Sequence, residues 1–171
     1  MQADAEITLR NLHVISALSQ NDKLITNDDY FDVYTPTTLR SLYRSWYKER
    51  RQSNILRLRQ TVRNGIAFVK RTSEDINALI ESKSVSLQMQ IDIILAQHLR
   101  MRDALHKACT GLRNMMLTYR EDANIVSQLS LILDEITDFN VLMEPRTESL
   151  KKKTTFFVSD LETDEPDSEI E

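Results

Sequence analysis

The amino-acid sequence predicts an all-α protein, a bundle of three to five helices with a disordered acidic C-terminal tail. The 171 residues include only two glycines and three prolines, whereas β-sandwiches and barrels need many turn residues. Apolar residues also recur at three- and four-residue spacing, the pattern of one helix face, in several separate stretches. The predicted helical domain is residues 1–143, and the predicted tail is residues 144–171.

The N-terminal part of the chain predicts one short helix and a loop. Residues 5–18 form the helix, because apolar residues lie near helical spacing at Ile7, Leu12, Ile15 and Leu18. Residues 19–29 are rich in turn formers and predict a loop. The aromatic residues 30–34 then form a brief strand or an extended segment, since Pro36 disfavours helical geometry at the residue before it.

A second helix is predicted from Thr35 and Pro36, with the threonine as N-cap and the proline at the first helical position. Its apolar face has two parts, namely Leu39, Leu42, Tyr43, Trp46 and Tyr47, and then Ile55, Leu58, Val62, Ile66 and Val69. The helix either runs through to Arg71 or breaks at Ser53 and Asn54. A new start signal follows at residues 72–75.

Residues 85–93 fit both a strand and a helix. Apolar and polar residues alternate there as in a strand. The stretch from Leu87 to Tyr119 also carries an unbroken apolar stripe at helical spacing, and its length of about eight turns favours the helix. After a turn at residues 120–122, a last helix is predicted from about Ala123 to Asn140. We expect Pro145 to prevent its continuation.

Charge is segregated along the chain. Residues 40–71 carry a net charge of +9, from ten basic residues and one acid, Glu49. Residues 1–39, 72–143 and 144–171 carry −4, −4 and −5. This distribution predicts either an anionic partner or pairing with the chain's own acidic segments. Eight of the ten basic residues are arginine, which favours bidentate contacts with carboxylate or phosphate.

The candidate partner-binding residues lie on the second predicted helix. They are its basic residues and the adjoining aromatic pair: Arg40, Arg44, Trp46, Tyr47, Lys48, Arg50, Arg51, Arg57, Arg59 and Arg63. Four of them recur every three or four residues and therefore share one helix face. We expect a protein partner or a homo-oligomer. Nucleic acid is the alternative partner, because aromatic residues among arginines also suit single strands.

No residue pattern indicates a catalytic, cofactor or metal site. His98 and His106 lie two turns apart, and no acid or cysteine completes a metal-ligand set. Cys109 lies on the apolar stripe, so a buried and inert thiol is expected rather than a thiolate activated by His106. The two glycines, Gly65 and Gly111, form no phosphate-binding loop and lie where another helix approaches closely. We therefore expect a non-enzymatic protein without a cofactor.

We expect the protein to be intracellular and to have no membrane-spanning segment. The single cysteine excludes an intramolecular disulfide and suits a reducing compartment. No apolar run approaches the roughly 20 residues that span a bilayer. The acidic sequence of residues 1–10 lacks the basic-then-apolar order of a signal peptide.

One stretch of the sequence resembles a known group of proteins. Residues 31–37, FDVYTPT, are followed by Arg40, Arg44, Trp46, Tyr47, Glu49 and Arg51, and are preceded by QNDKL at residues 20–24. This pattern resembles small uncharacterised helical proteins of nucleocytoplasmic large DNA viruses over roughly residues 9–70, and it contains no catalytic motif. The resemblance implies a virus-encoded protein, such as a minor capsid or internal virion component, located in the host cytoplasm and the virion.

Overall fold

A computed structural model describes residues 2–18, 40–82 and 87–164, with side chains for residues 4–18, 51–82 and 87–155. These ranges contain four helices: α1 Gln2–Ser16, α2 Arg40–Ser82, α3 Gln88–Thr118 and α4 Ala123–Asp164. They contain no strand, which confirms the predicted all-α class. The predicted loop at residues 19–29, the aromatic run at residues 30–34 and the helix start at Thr35 lie outside the described residues.

The three long helices form a bundle in which α2 and α4 are parallel and α3 is antiparallel to both. Gln52 near the start of α2 contacts Gln128 near the start of α4, and Asn77 contacts Lys153 further along the same two helices. His98 of α3 meets Thr72 of α2. The side chains that spacing predicts to face inward are buried in all four helices, among them Leu12, Ile15, Leu58, Val62, Leu105, Leu112, Leu129 and Ile136.

The short helix α1 packs on α2 and α3, and two glycines make this approach possible. A Cβ atom at Gly65 would lie 3.3 Å from Leu12 Cδ1 and 3.0 Å from Leu105 Cδ2. A Cβ atom at Gly111 would lie 1.7 Å from the carbonyl oxygen of Ile15, so a larger residue could be accommodated only if α1 shifted. Just beyond α1, the Asn114 side chain donates a hydrogen bond to the Leu18 carbonyl at 2.7 Å. The predicted close approach at both glycines is confirmed.

The helix α2 is continuous where the sequence suggested a break or a restart. Asn54 is buried inside the helix, and Ser53 is helical. Thr72 does not cap a new helix, because its hydroxyl lies 3.0 Å from the carbonyl oxygens of Phe68 and Val69 in the preceding turn. The alternative of one uninterrupted helix is therefore correct. Residues 88–93 are helical as well, which settles their ambiguous pattern for that range.

The predicted end of the last helix is wrong. The helix α4 passes Pro145 and continues to Asp164. Pro145 lies on the exposed face, where solvent can satisfy the carbonyl that loses its N–H donor. The continuation is held by side chains buried beyond the proline: Thr147, Leu150 and Thr154. Residues 144–164, predicted as tail, are helical, and the predicted disorder of residues 165–171 lies outside the described residues.

Candidate interaction surface

Two of the predicted partner-binding arginines on α2 bind a carboxylate of α4 instead. Arg63 donates to Glu135 through Nε and Nη2, at 3.3 and 3.0 Å to the two carboxylate oxygens. Arg59 Nε lies 3.5 Å from Oε1 of the same carboxylate. This part of the basic stripe pairs with the chain's own acids, which is one of the two outcomes that the charge pattern predicts.

The electrostatics of this ion pair keep both partners charged. The hydrogen bond from Arg63 lowers the pKa of Glu135, and the same bond raises the pKa of Arg63. Both side chains remain partly exposed, at 49% for Arg63 and 28% for Glu135. Exposed ion pairs of this kind stabilise a fold only slightly. The contact therefore adds little to the stability of the packing of α2 against α4.

A third arginine of α2 lies close to an acid at one end of the bundle. Arg51 Nη1 lies 3.9 Å from Oδ2 of Asp122, in the turn that joins α3 to α4. Arg57, on the same helix, is exposed. Sequence reasoning missed Asp122 and Glu135 as partners, because their pairing with α2 depends on the parallel arrangement of α2 and α4. The only signal of this pairing in the sequence is that Asp122 and Glu135 are separated by nearly the same number of residues as Arg51 and Arg63.

The rest of the predicted surface lies at the start of α2, at residues 40–50, which we call the basic end. Its backbone is helical, and the side chains of its predicted site residues lie outside the described set: Arg40, Arg44, Trp46, Tyr47, Lys48 and Arg50. Gln52, twelve residues into α2, pairs with Gln128, five residues into α4. The described part of α2 therefore begins about seven residues, or about 10 Å, before α4, so residues 40–46 extend past the start of α4 and residues 47–50 lie beside it. The basic end carries a net charge of +3.

A buried polar contact joins the three long helices elsewhere in the bundle. His98 is fully buried, and its Nδ1 lies 2.8 Å from the Thr72 hydroxyl while Nε2 lies 3.4 Å from the Thr147 hydroxyl. Burial lowers the pKa of His98, and the positive charge of Arg102 lowers it further. Both ring nitrogens face threonine hydroxyls, so the neutral imidazole has a partner on each side. His98 is therefore a structural residue of the core that joins the three long helices.

An open groove between α3 and α4 contains the single cysteine. It has a volume of about 650 Å³ and is lined in part by Arg102, His106, Arg113, Asn140 and Glu144. Cys109 is buried at its floor, and its thiol lies 3.7 Å from the Leu105 carbonyl oxygen, not against a histidine. Burial raises the pKa of Cys109 and so disfavours the thiolate. The predicted burial of the thiol is confirmed.

Metal-ion sites and membrane-spanning helices are both absent from the described ranges. Among residues 2–18, 40–82 and 87–164, no three or more His, Cys, Asp or Glu side chains are grouped to hold a metal ion. None of the helices in the described part of the chain is both long and apolar enough to cross a membrane. Comparisons with family models, curated proteins and solved structures found no match to this chain.

Proposed function

We propose that this chain is a non-catalytic interaction protein that docks through its basic end on an acidic surface of a protein partner. One observation carries the proposal. The arginines of α2 that lie alongside the bundle at Arg51, Arg59 and Arg63 pair with acids of α4 and of the turn before it. Residues 40–46 of the basic end extend past the start of α4, and the basic end as a whole has a net charge of +3.

The chemistry of residues 40–50 suits a protein interface. Arg40, Arg44 and Lys48 recur four residues apart, a spacing at which like charges on a helix repel each other. An opposing acidic surface relieves that repulsion. Trp46 and Tyr47 lie in the same segment, and large aromatic residues are typical anchors of protein interfaces. A helix with both clustered cations and large aromatic residues is better suited to binding a protein than to catalysing a reaction.

The sequence resemblance to proteins of large DNA viruses adds a biological context to the proposal, namely the virus particle. In that setting the protein is a virion component, such as a minor capsid protein, and its partner is another virion protein. Nucleic acid is the less favoured partner. Three arginines of the predicted stripe are already within ion-pair distance of carboxylates, so α2 does not offer phosphate a continuous arginine row.

The test is recovery of the tagged full-length chain from its native cells, with its bound proteins and nucleic acids quantified. The variant reverses three cations of the basic end, R40E, R44E and K48E. The matched control makes the same charge change at exposed arginines elsewhere, R100E, R113E and R146E. We expect the first variant to lose at least about tenfold of a bound protein that the wild type and the control retain, since several charges act together.

Two results would contradict this proposal. If the basic-end variant and the wild type recover the same proteins in the same amounts, the basic end is a solvated helix face. If nucleic acid is recovered instead, and its binding constant falls steeply with salt, the nucleic-acid alternative is correct.

A further inference from the structure

The two ends of the bundle carry opposite charges on protruding helix ends. Lys153 contacts Asn77, which lies five residues before the end of α2, whereas α4 continues eleven residues beyond Lys153. The helix α4 therefore extends about six residues, or about 9 Å, past the end of α2. These residues, 159–164, are called the acidic end. They contain Asp160, Glu162 and Asp164 and no basic residue, so their net charge is −3.

Each protruding end carries like charges that repel one another. Arg40 and Arg44 lie four residues apart in the basic end, and Asp160 and Asp164 lie four residues apart in the acidic end. Like charges at this spacing on a helix destabilise it. An external opposite charge would therefore stabilise each end.

The two ends cannot meet within one copy. The 42 residues of α4 span about 63 Å, and the basic end lies beside the start of this helix while the acidic end is its last turns. A short isolated helical end is also marginally stable in water when nothing packs against it. Opposite charge, similar protruding length and separation along one axis together suit contact between different copies.

We propose that copies of this chain associate head to tail, with the acidic end of one copy lying beside the basic end of the next. This inference rests on the proposed function and names the partner as a second copy. In this arrangement, the C-terminal end of α4 in one copy and the N-terminal end of α2 in the next copy point in the same direction. The two helix ends are therefore parallel. Such a contact joins two different surfaces and therefore produces open chains or rings rather than closed two-fold dimers.

The test uses purified full-length protein in sedimentation velocity over a concentration series. We expect the wild type to associate at about 0.05 M salt and to dissociate at about 0.5 M, because the screening length falls severalfold over that range. Trp46, the single tryptophan, lies in the basic end, so its emission should change with association. The basic-end variant R40E, R44E and K48E and the acidic-end variant D160K, E162K and D164K should each remain monomeric.

Combining the two variants makes the test specific. Mixed in equal amounts, they should associate again, because each reversed end finds an oppositely charged end on the other variant. A chain that carries both reversals should associate by itself as the wild type does. The R100E, R113E and R146E control should associate normally.

A wild type that stays monomeric at low salt would overturn the head-to-tail contact, and so would a mixture that does not restore association. Neither result would disprove the proposed function. That proposal fails only if the native partner is recovered equally by the basic-end variant. Conversely, the purified chain could self-associate while recovery from cells yields no partner except further copies of the chain. That result would support the head-to-tail contact and would identify the function as homo-oligomer formation.

Discussion

At the scale of single residues, His98 shows how burial determines a protonation state. The ring lies between Thr72 of α2 and Thr147 of α4, and Arg102 on its own helix is the positive charge that affects it. Because the pKa is lowered in the folded chain, the unfolded chain takes up a proton first as pH falls. The stability contribution of the neutral ring is therefore complete above pH 6.5, the ordinary value, and decreases below it.

We predict that the free energy of unfolding falls as pH is lowered from about 8 to about 5, with a loss that begins near 6.5. Urea unfolding at a series of pH values measures it. H98L should remove this part of the pH dependence, because no imidazole remains in the site. The control H106Q, at an exposed histidine, should keep it. A pH profile unchanged by H98L would show that His98 does not cause the effect.

The two glycines provide a matched pair of substitutions. G111A should destabilise the fold by about 1–3 kcal/mol, although alanine favours helices by about 1 kcal/mol, because its Cβ would meet the fixed Ile15 carbonyl. G65A should stay within about 1 kcal/mol of the wild type, since its neighbours are the flexible side-chain ends of Leu105 and Leu12. Chemical denaturation compares the two. Equal losses would contradict the steric explanation.

At the scale of elements, α4 beyond Pro145 belongs to the folded body. Leu150 packs with Ile76 of α2 and Ile91 of α3 in a second apolar cluster. We predict that L150A costs about 2–5 kcal/mol, in the range of buried leucine truncations. L142A, at a half-exposed leucine on the same helix, should cost much less. Thermal or urea unfolding measures both, and a neutral L150A would mean that this cluster contributes no stability.

The ion pair between α2 and α4 should contribute little. A double-mutant cycle with R63A and E135A is expected to give a coupling energy below about 1 kcal/mol, because both side chains are partly exposed to water and salt. The coupling should shrink further at high salt. Urea unfolding of the four proteins measures it. A coupling of several kcal/mol would show that this contact contributes substantially to stability.

The sequence predicts the elements better than it predicts their ends and contacts. The spacing of Leu58, Val62 and Leu105 predicts buried helix faces because burial alone determines that pattern. Local signals mislead at Thr72 and Pro145, where tertiary packing outweighs a start signal and a stop signal. For the candidate surface, the residue list could be predicted, but the pairing of Arg63 with Glu135 could not. That contact depends on how α2 and α4 are oriented, and its two residues are 72 positions apart in the chain.

At the scale of the whole molecule, the parallel α2 and α4 give the bundle its polarity. Because these two helices are displaced along their common axis, one protrudes at each end, and charges that are segregated in the sequence are also separated in space, by about 60 Å. The net charge of −4 conceals this dipolar distribution. Association that depends on such ends should respond to ionic strength far more than the stability of the apolar core does.

The packing of α1 has a consequence for local unfolding. This helix has 15 residues and is attached to α2 and α3 along one face, and a helix of that length is marginal by itself. We expect its amide hydrogens to exchange through detachment of α1 alone, faster than those at the centres of α2 and α3, which need global opening. G111A should accelerate exchange in α1 selectively, as hydrogen–deuterium exchange with mass spectrometry would detect. Uniform exchange across all four helices would instead show that α1 and the bundle unfold as one cooperative unit.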